Sequence, residues 1–153
     1  MKRNFLLVFF CLFVLGTSVA SWANNYDGFE IGDATTVAEA VEEIVDTLVD
    51  QNFEITAVID HAANAKAVGL ELPPTQVILF RKIFFDVSLI RRSQTAAIDL
   101  PLKILVFEEA GEVVIAYNDP FFIAQRAGIQ GLDTLLGNIA NALNNFAEQG
   151  AEP

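Results

Sequence analysis

The chain has 153 residues, with nine basic against 20 acidic residues, a net charge of −11 and a single cysteine, Cys11. So acidic a balance excludes nucleic acid as a partner, because phosphate binding needs a basic field, and it opposes docking on anionic lipid. One cysteine excludes an internal disulfide and any cysteine-rich metal site.

Met1 to Ala23 reads as a cleavable secretory signal peptide. Lys2 and Arg3 give the positive start, Phe5 to Leu15 is an unbroken apolar run, and Ser21-Trp22-Ala23 has the small-x-small spacing for cleavage after Ala23. An uncleaved membrane anchor is the rival, since Phe5 to Ala23 carries no charge and approaches spanning length. Lipid attachment at Cys11 does not fit, because Val8-Phe9-Phe10 before it offers no small residue. Cleavage leaves residues 24–153, a usual length for one domain. Losing Lys2 and Arg3 leaves seven basic residues against 20 acidic ones, a net charge of −13, and no cysteine. The expected location is the periplasm or the cell exterior.

Tyr26 to Asp33 reads as a strand with Phe29 and Ile31 on one face. Thr36-Val37-Ala38-Glu39 is a capping box, and Val37, Val41, Ile44, Val45 and Leu48 then recur at helical spacing. Phe53 to Asp60 alternates as a half-buried strand, with Phe53, Ile55, Ala57 and Ile59 inward. Asp60 caps a short helix, His61 to Val68, which Gly69 ends; Pro73-Pro74 then restarts an extended segment, Gln76 to Phe80. Pro101 to Asn118 is a hairpin turning at Glu109-Ala110-Gly111-Glu112. Its strands are apolar on both faces, so the second face needs cover from a ligand, from a second copy in a homodimer, or from Ile83 to Ile90. Asp119-Pro120 opens a helix that Gly128 closes. Leu132, Leu135, Leu136, Ile139, Leu143 and Phe146 form a last helical stripe, with Gly150 to Pro153 as a frayed tail. The order implies a single α+β domain, a mainly antiparallel sheet with helices on one face.

Two long blocks carry a family resemblance. Ile59-Asp60-His61-Ala62-Ala63-Asn64-Ala65-Lys66-Ala67-Val68-Gly69-Leu70-Glu71-Leu72-Pro73-Pro74-Thr75 resembles the signature of domain of unknown function 302. So does Ala97-Ile98-Asp99-Leu100-Pro101-Leu102-Lys103-Ile104-Leu105-Val106-Phe107-Glu108, followed by Tyr117-Asn118-Asp119-Pro120. The matching blocks run through most of Phe29 to Gly128. The resemblance implies a TBP-like β-α-β4-α fold behind the signal helix, and it implies no settled activity and no cofactor. One stretch departs: after Phe80 the family usually has a small residue, Asn-Pro and then a glycine turn. Here Arg81-Lys82-Ile83-Phe84-Phe85-Asp86-Val87-Ser88-Leu89-Ile90 stands instead.

Asp60 and His61 are the catalytic candidates, because His61 is the only histidine, the side chain type suited to acid–base work near neutral pH. Helix capping and first-turn packing also explain both positions. Asn64 and Lys66 share their helix, and Asp99, Lys103 and Tyr117 lie in the family-like blocks; all five are candidate ligand-binding residues. Arg81, Lys82, Arg91 and Arg92 are a basic cluster with Phe84 and Phe85 between, suited to an anion or a docking partner, or else a solvated face. Ser88 and Ser93, the only serines after Ala23, sit in no nucleophile-elbow pattern. With one histidine, no paired-histidine motif and no calcium loop, no metal site is expected. Two functional readings follow: a non-catalytic binding or assembly module that uses the second sheet face, or an enzyme of unassigned reaction using Asp60 and His61. On the export reading, N-terminal sequencing of the protein should begin at Asn24; a start at Met1 in the membrane fraction would mark an uncleaved anchor.

Overall fold

The computed structural model describes residues 28–32, by backbone alone, and 36–152. The expected signal peptide, residues 1–23, and its anchor alternative lie outside these residues. The chain runs β1 (Gly28–Gly32), α1 (Val37–Asp50), β2 (Glu54–Asp60), α2 (His61–Ala67), β3 (Thr75–Arg81), α3 (Ile83–Arg92), a 3-10 segment (Gln94–Asp99), β4 (Leu102–Glu109), β5 (Glu112–Tyr117), α4 (Pro120–Ala127) and α5 (Asp133–Ala151). The expected α+β domain is present, and its order is β-α-β4-α with α2 and α3 placed in the strand connections. All strand pairs are antiparallel, in the spatial order β1-β5-β4-β3-β2.

The local signals act as their chemistry requires. Thr36 Oγ1 accepts the Glu39 N–H at 3.2 Å and donates to the Glu39 carboxylate at 2.9 Å, starting α1. Asp119 accepts the Phe121 N–H at 2.8 Å ahead of Pro120, and Gly128 closes α4 in the left-handed region at φ 69°. The β4–β5 hairpin turns on Ala110 and Gly111, at φ 54° and 87°.

α1 lies over β2, β3 and β4, α5 lies over β1 and β5, and the two helices pack on each other. Beneath them Ile78, Phe80, Leu102, Ile104, Val106, Val113 and Ile115 are buried. Phe53, Phe80 and Phe146 meet edge-on at centroid separations of 5.1–6.0 Å, the geometry that the ring quadrupoles favour. This aromatic knot ties the start of β2 and the end of β3 to α5.

Three expectations are corrected. First, β2 does not alternate cleanly. Ile55 pairs with Phe80, but Ala57 pairs with Leu79, so Thr56 is an extra residue in the strand. One inserted residue exchanges the faces beyond it. Ala57 and Ile59, expected inward, therefore share the outer face with Leu79 and Val77, and Val58 takes the register opposite Ile78. Second, Ile83–Arg92 is a helix that does not cover the outer sheet face. Its Leu89 is buried in the core cluster beneath the helical layer, and Phe85 packs on Phe53 at 5.9 Å. Third, the chain is not frayed at Gly150, which is buried within α5. A Cβ there would stand 2.5 Å from Ile44 Cγ1, and Ile44 is fully buried.

Gly150 thus sets how closely α5 approaches α1. Gly150→Ala should lower stability by about 1–2 kcal/mol in urea unfolding, the overpacking cost outweighing the helix-propensity gain. A variant as stable as the parent would contradict this packing.

Candidate functional site

The outer face of the sheet carries Val77 and Leu79 from β3, Lys103, Leu105 and Phe107 from β4, and Val114 and Ala116 from β5. Over this face lies a shallow cavity of about 210 Å³, lined by His61, Val77, Lys103, Leu105, Ala116, Tyr117 and Asn118. Its floor is Val77, Leu105 and Ala116, which pair across three adjacent strands. Its polar rim is His61, Lys103 and Asn118. Tyr117, at the end of β5, borders it, but by register its side chain lies on the helical face, packed against the core with the phenol donating to Asn144 Oδ1 on α5 at 3.4 Å.

His61 reaches the cavity because Asp60 ends β2 and starts α2 in a single step. The Asp60 carboxylate accepts the Ala63 N–H at 2.8 Å, which turns the chain out of the sheet. Lys103 is anchored differently: its half-buried ammonium donates to the backbone carbonyls of Asp99 at 3.0 Å and Pro101 at 2.9 Å. The Asp99 carboxylate pairs instead with Arg126, at 3.0 Å.

Three of the residues singled out in the sequence, His61, Lys103 and Tyr117, therefore converge on one cavity. Asn64 and Lys66 are exposed on α2 away from it, Asp60 is engaged as a helix cap, and Asp99 is engaged by Arg126. Among the described residues no hydrogen bond joins Asp60 to His61. Ser88 lines a different cavity from His61, and its hydroxyl donates to Phe84 O at 2.6 Å. No cluster of three metal-ligating side chains occurs among the described residues. The sequence reading missed Asn118, which lay within a quoted block, and the cavity floor, whose residues read as ordinary strand hydrophobics until register joined them.

The basic cluster is divided by α3, whose ten residues span about 15 Å. Arg81 forms a two-pronged pair with Glu54 at 2.7 and 3.1 Å. The hydrogen bond from Arg81 lowers the Glu54 pKa, and the same bond raises that of Arg81. Lys82 stands 4.7 Å over the Phe53 ring and donates to Gln51 O at 3.3 Å. At the other end Arg91 and Arg92, with Ser88 and Leu132, line a cavity of about 420 Å³.

The comparisons with known proteins agree with this architecture. The family model for Domain of unknown function DUF302 matches residues 31–149. The chain belongs to the DUF302 family. A crystal structure of an uncharacterized conserved DUF302 protein from Bacillus stearothermophilus has the same fold, with a TM-score of 0.72 at 15% identity, over 80% of this chain and 95% of that one. Proteins named fluoride-specific ion channel FluC 1, from Brucella suis and Brucella abortus, are each 35% identical over 92 residues, 60% of this chain. The chain spans about a third of the length of these curated relatives, 36% and 34% respectively. In this DUF302 chain the stretch Arg81 to Ile90 ends β3 at Arg81, caps α3 at Lys82 and forms most of α3 from Ile83.

α3 also holds an unfavourable charge. Asp86 Oδ1 is buried without a hydrogen-bond partner, and burial raises the Asp86 pKa, with the Arg81 charge opposing it. A carboxyl raised on folding binds its proton more readily in the folded state, so its contribution to stability falls as pH rises through the unfolded value towards the folded one. Above both values the penalty is constant. Asp86→Asn should accordingly raise the urea midpoint at pH 7, and the gain should shrink on acidification. A lower midpoint at pH 7 would contradict it.

Proposed function

We propose that this DUF302 chain is an exported, non-catalytic binding module whose recognition site is the cavity on the outer sheet face. The carrying observation is the convergence of His61, Lys103 and Asn118 around the apolar floor of Val77, Leu105 and Ala116. Concave apolar surface with a few fixed polar groups is the usual construction of a small-molecule site. Export rests on the charged start, apolar run and small-x-small spacing of Met1 to Ala23. The partial match to proteins named as fluoride-specific ion channels supports a modular role beside other units, since most of their length lies outside the shared stretch. Among the described residues no helix is long and apolar enough to cross a membrane, and channel activity is not proposed for this chain. The assembly form of the reading would seat a second copy on the same face.

An enzymatic role for Asp60 and His61 has less support. The Asp60 carboxylate is oriented towards the α2 backbone and His61 lacks an orienting carboxylate among the described residues, whereas acid–base work needs a positioned pair. A fragment screen read by two-dimensional NMR should perturb Val77, Leu105, Ala116 and Tyr117 together. Hits confined to the Ser88–Arg91–Arg92 cavity, or a stable dimer that buries the outer face in light scattering, would overturn the small-molecule reading.

A further inference from the structure

We infer that the outer-face cavity takes a small amphipathic carboxylate, its apolar body on Val77, Leu105 and Ala116 and its carboxylate on Lys103. This rests on the binding reading above and adds the chemical class.

The argument starts from an unbalanced charge. The half-buried Lys103 ammonium has three N–H donors, and backbone carbonyls of Asp99 and Pro101 take two of them. Both acceptors are neutral, and among the described residues no carboxylate forms an ion pair with Lys103. Scarcity does not explain this, because the chain has 20 acidic residues against nine basic ones. Asp99, whose backbone carbonyl accepts from Lys103, has its carboxylate held by Arg126 at 3.0 Å. A partly desolvated cation is left with one donor at the wall of an apolar cavity, a setting that strengthens a charge-assisted hydrogen bond to an incoming anion. His61 adds a polar side chain at the rim.

Size and polarity narrow the class. A volume of about 210 Å³ equals roughly seven water volumes. That admits a short-chain or single-ring acid. The apolar floor suits a hydrocarbon body, whereas a free inorganic anion would leave it wet.

The test titrates hexanoate, 1-hexanol and hexylamine onto the purified full chain, followed by two-dimensional NMR. Hexanoate should bind about tenfold more tightly than either isostere, with shifts at Val77, Leu105 and Ala116. That preference should weaken with added salt and be lost in Lys103→Met. The ligand series on the parent protein decides the matter even if Lys103→Met fails to fold. Equal or tighter binding of 1-hexanol or hexylamine at the same residues would overturn the carboxylate assignment and leave the cavity as a binding site. Hexanoate shifts confined to Ser88, Arg91 and Arg92 would also overturn it. If none of the three perturbs the floor residues, both the assignment and the binding reading fall.

Discussion

β4 and β5 are apolar on both faces, and the helical layer covers only one of them. Leu102, Ile104, Val106, Val113 and Ile115 are buried beneath α1 and α5, which satisfies the demand that a domain bury one face of each element. Val77, Leu79, Leu105, Phe107 and Ala116 point the other way by register, and a β-strand cannot place successive side chains on one face. On this second face Val114 and Ala116 are buried and Val77, Leu79, Leu105 and Phe107 half-buried. The cavity, its polar rim and the functional reading all descend from that constraint.

The positioning of the rim depends on two small devices. The extra residue at Thr56 exchanges the faces of β2 and brings Ala57 and Ile59 beside Leu79 and Val77, extending the outer apolar surface to the sheet edge. Asp60 then turns the chain into α2 at once, so that His61 stands at the cavity instead of continuing the strand. On the helical side, the Phe53–Phe80–Phe146 knot and the close approach of Gly150 to Ile44 hold the sheet and its helices in one packing. Altering the outer face should therefore leave the core intact.

Much of the fold was legible in the sequence because the signals are local. The Thr36 capping box, the Asp60 and Asp119 caps, the Ala110-Gly111 turn and the α5 stripe each act within a few residues, and each is found where its chemistry places it. The bulge was not legible: Phe53 to Asp60 reads as perfect alternation, and only pairing with β3 reveals the slip. The Arg81–Arg92 stretch shows charge density but not its division, which follows from the intervening helix. For the site, His61, Lys103 and Tyr117 were visible as separate candidates. Their convergence required the register of three strands, and the diversion of Asp99 to Arg126 lies between residues 27 apart in sequence.

The central claim is that folding uses one sheet face and recognition the other. Leu105→Trp separates them most directly, because Leu105 is half-buried in the cavity floor and makes no part of the helical core. The account predicts that binding of any fragment mapped to the floor is lost in this variant while unfolding stability stays within about 1 kcal/mol of the parent. Unchanged binding by a folded Leu105→Trp protein would contradict it.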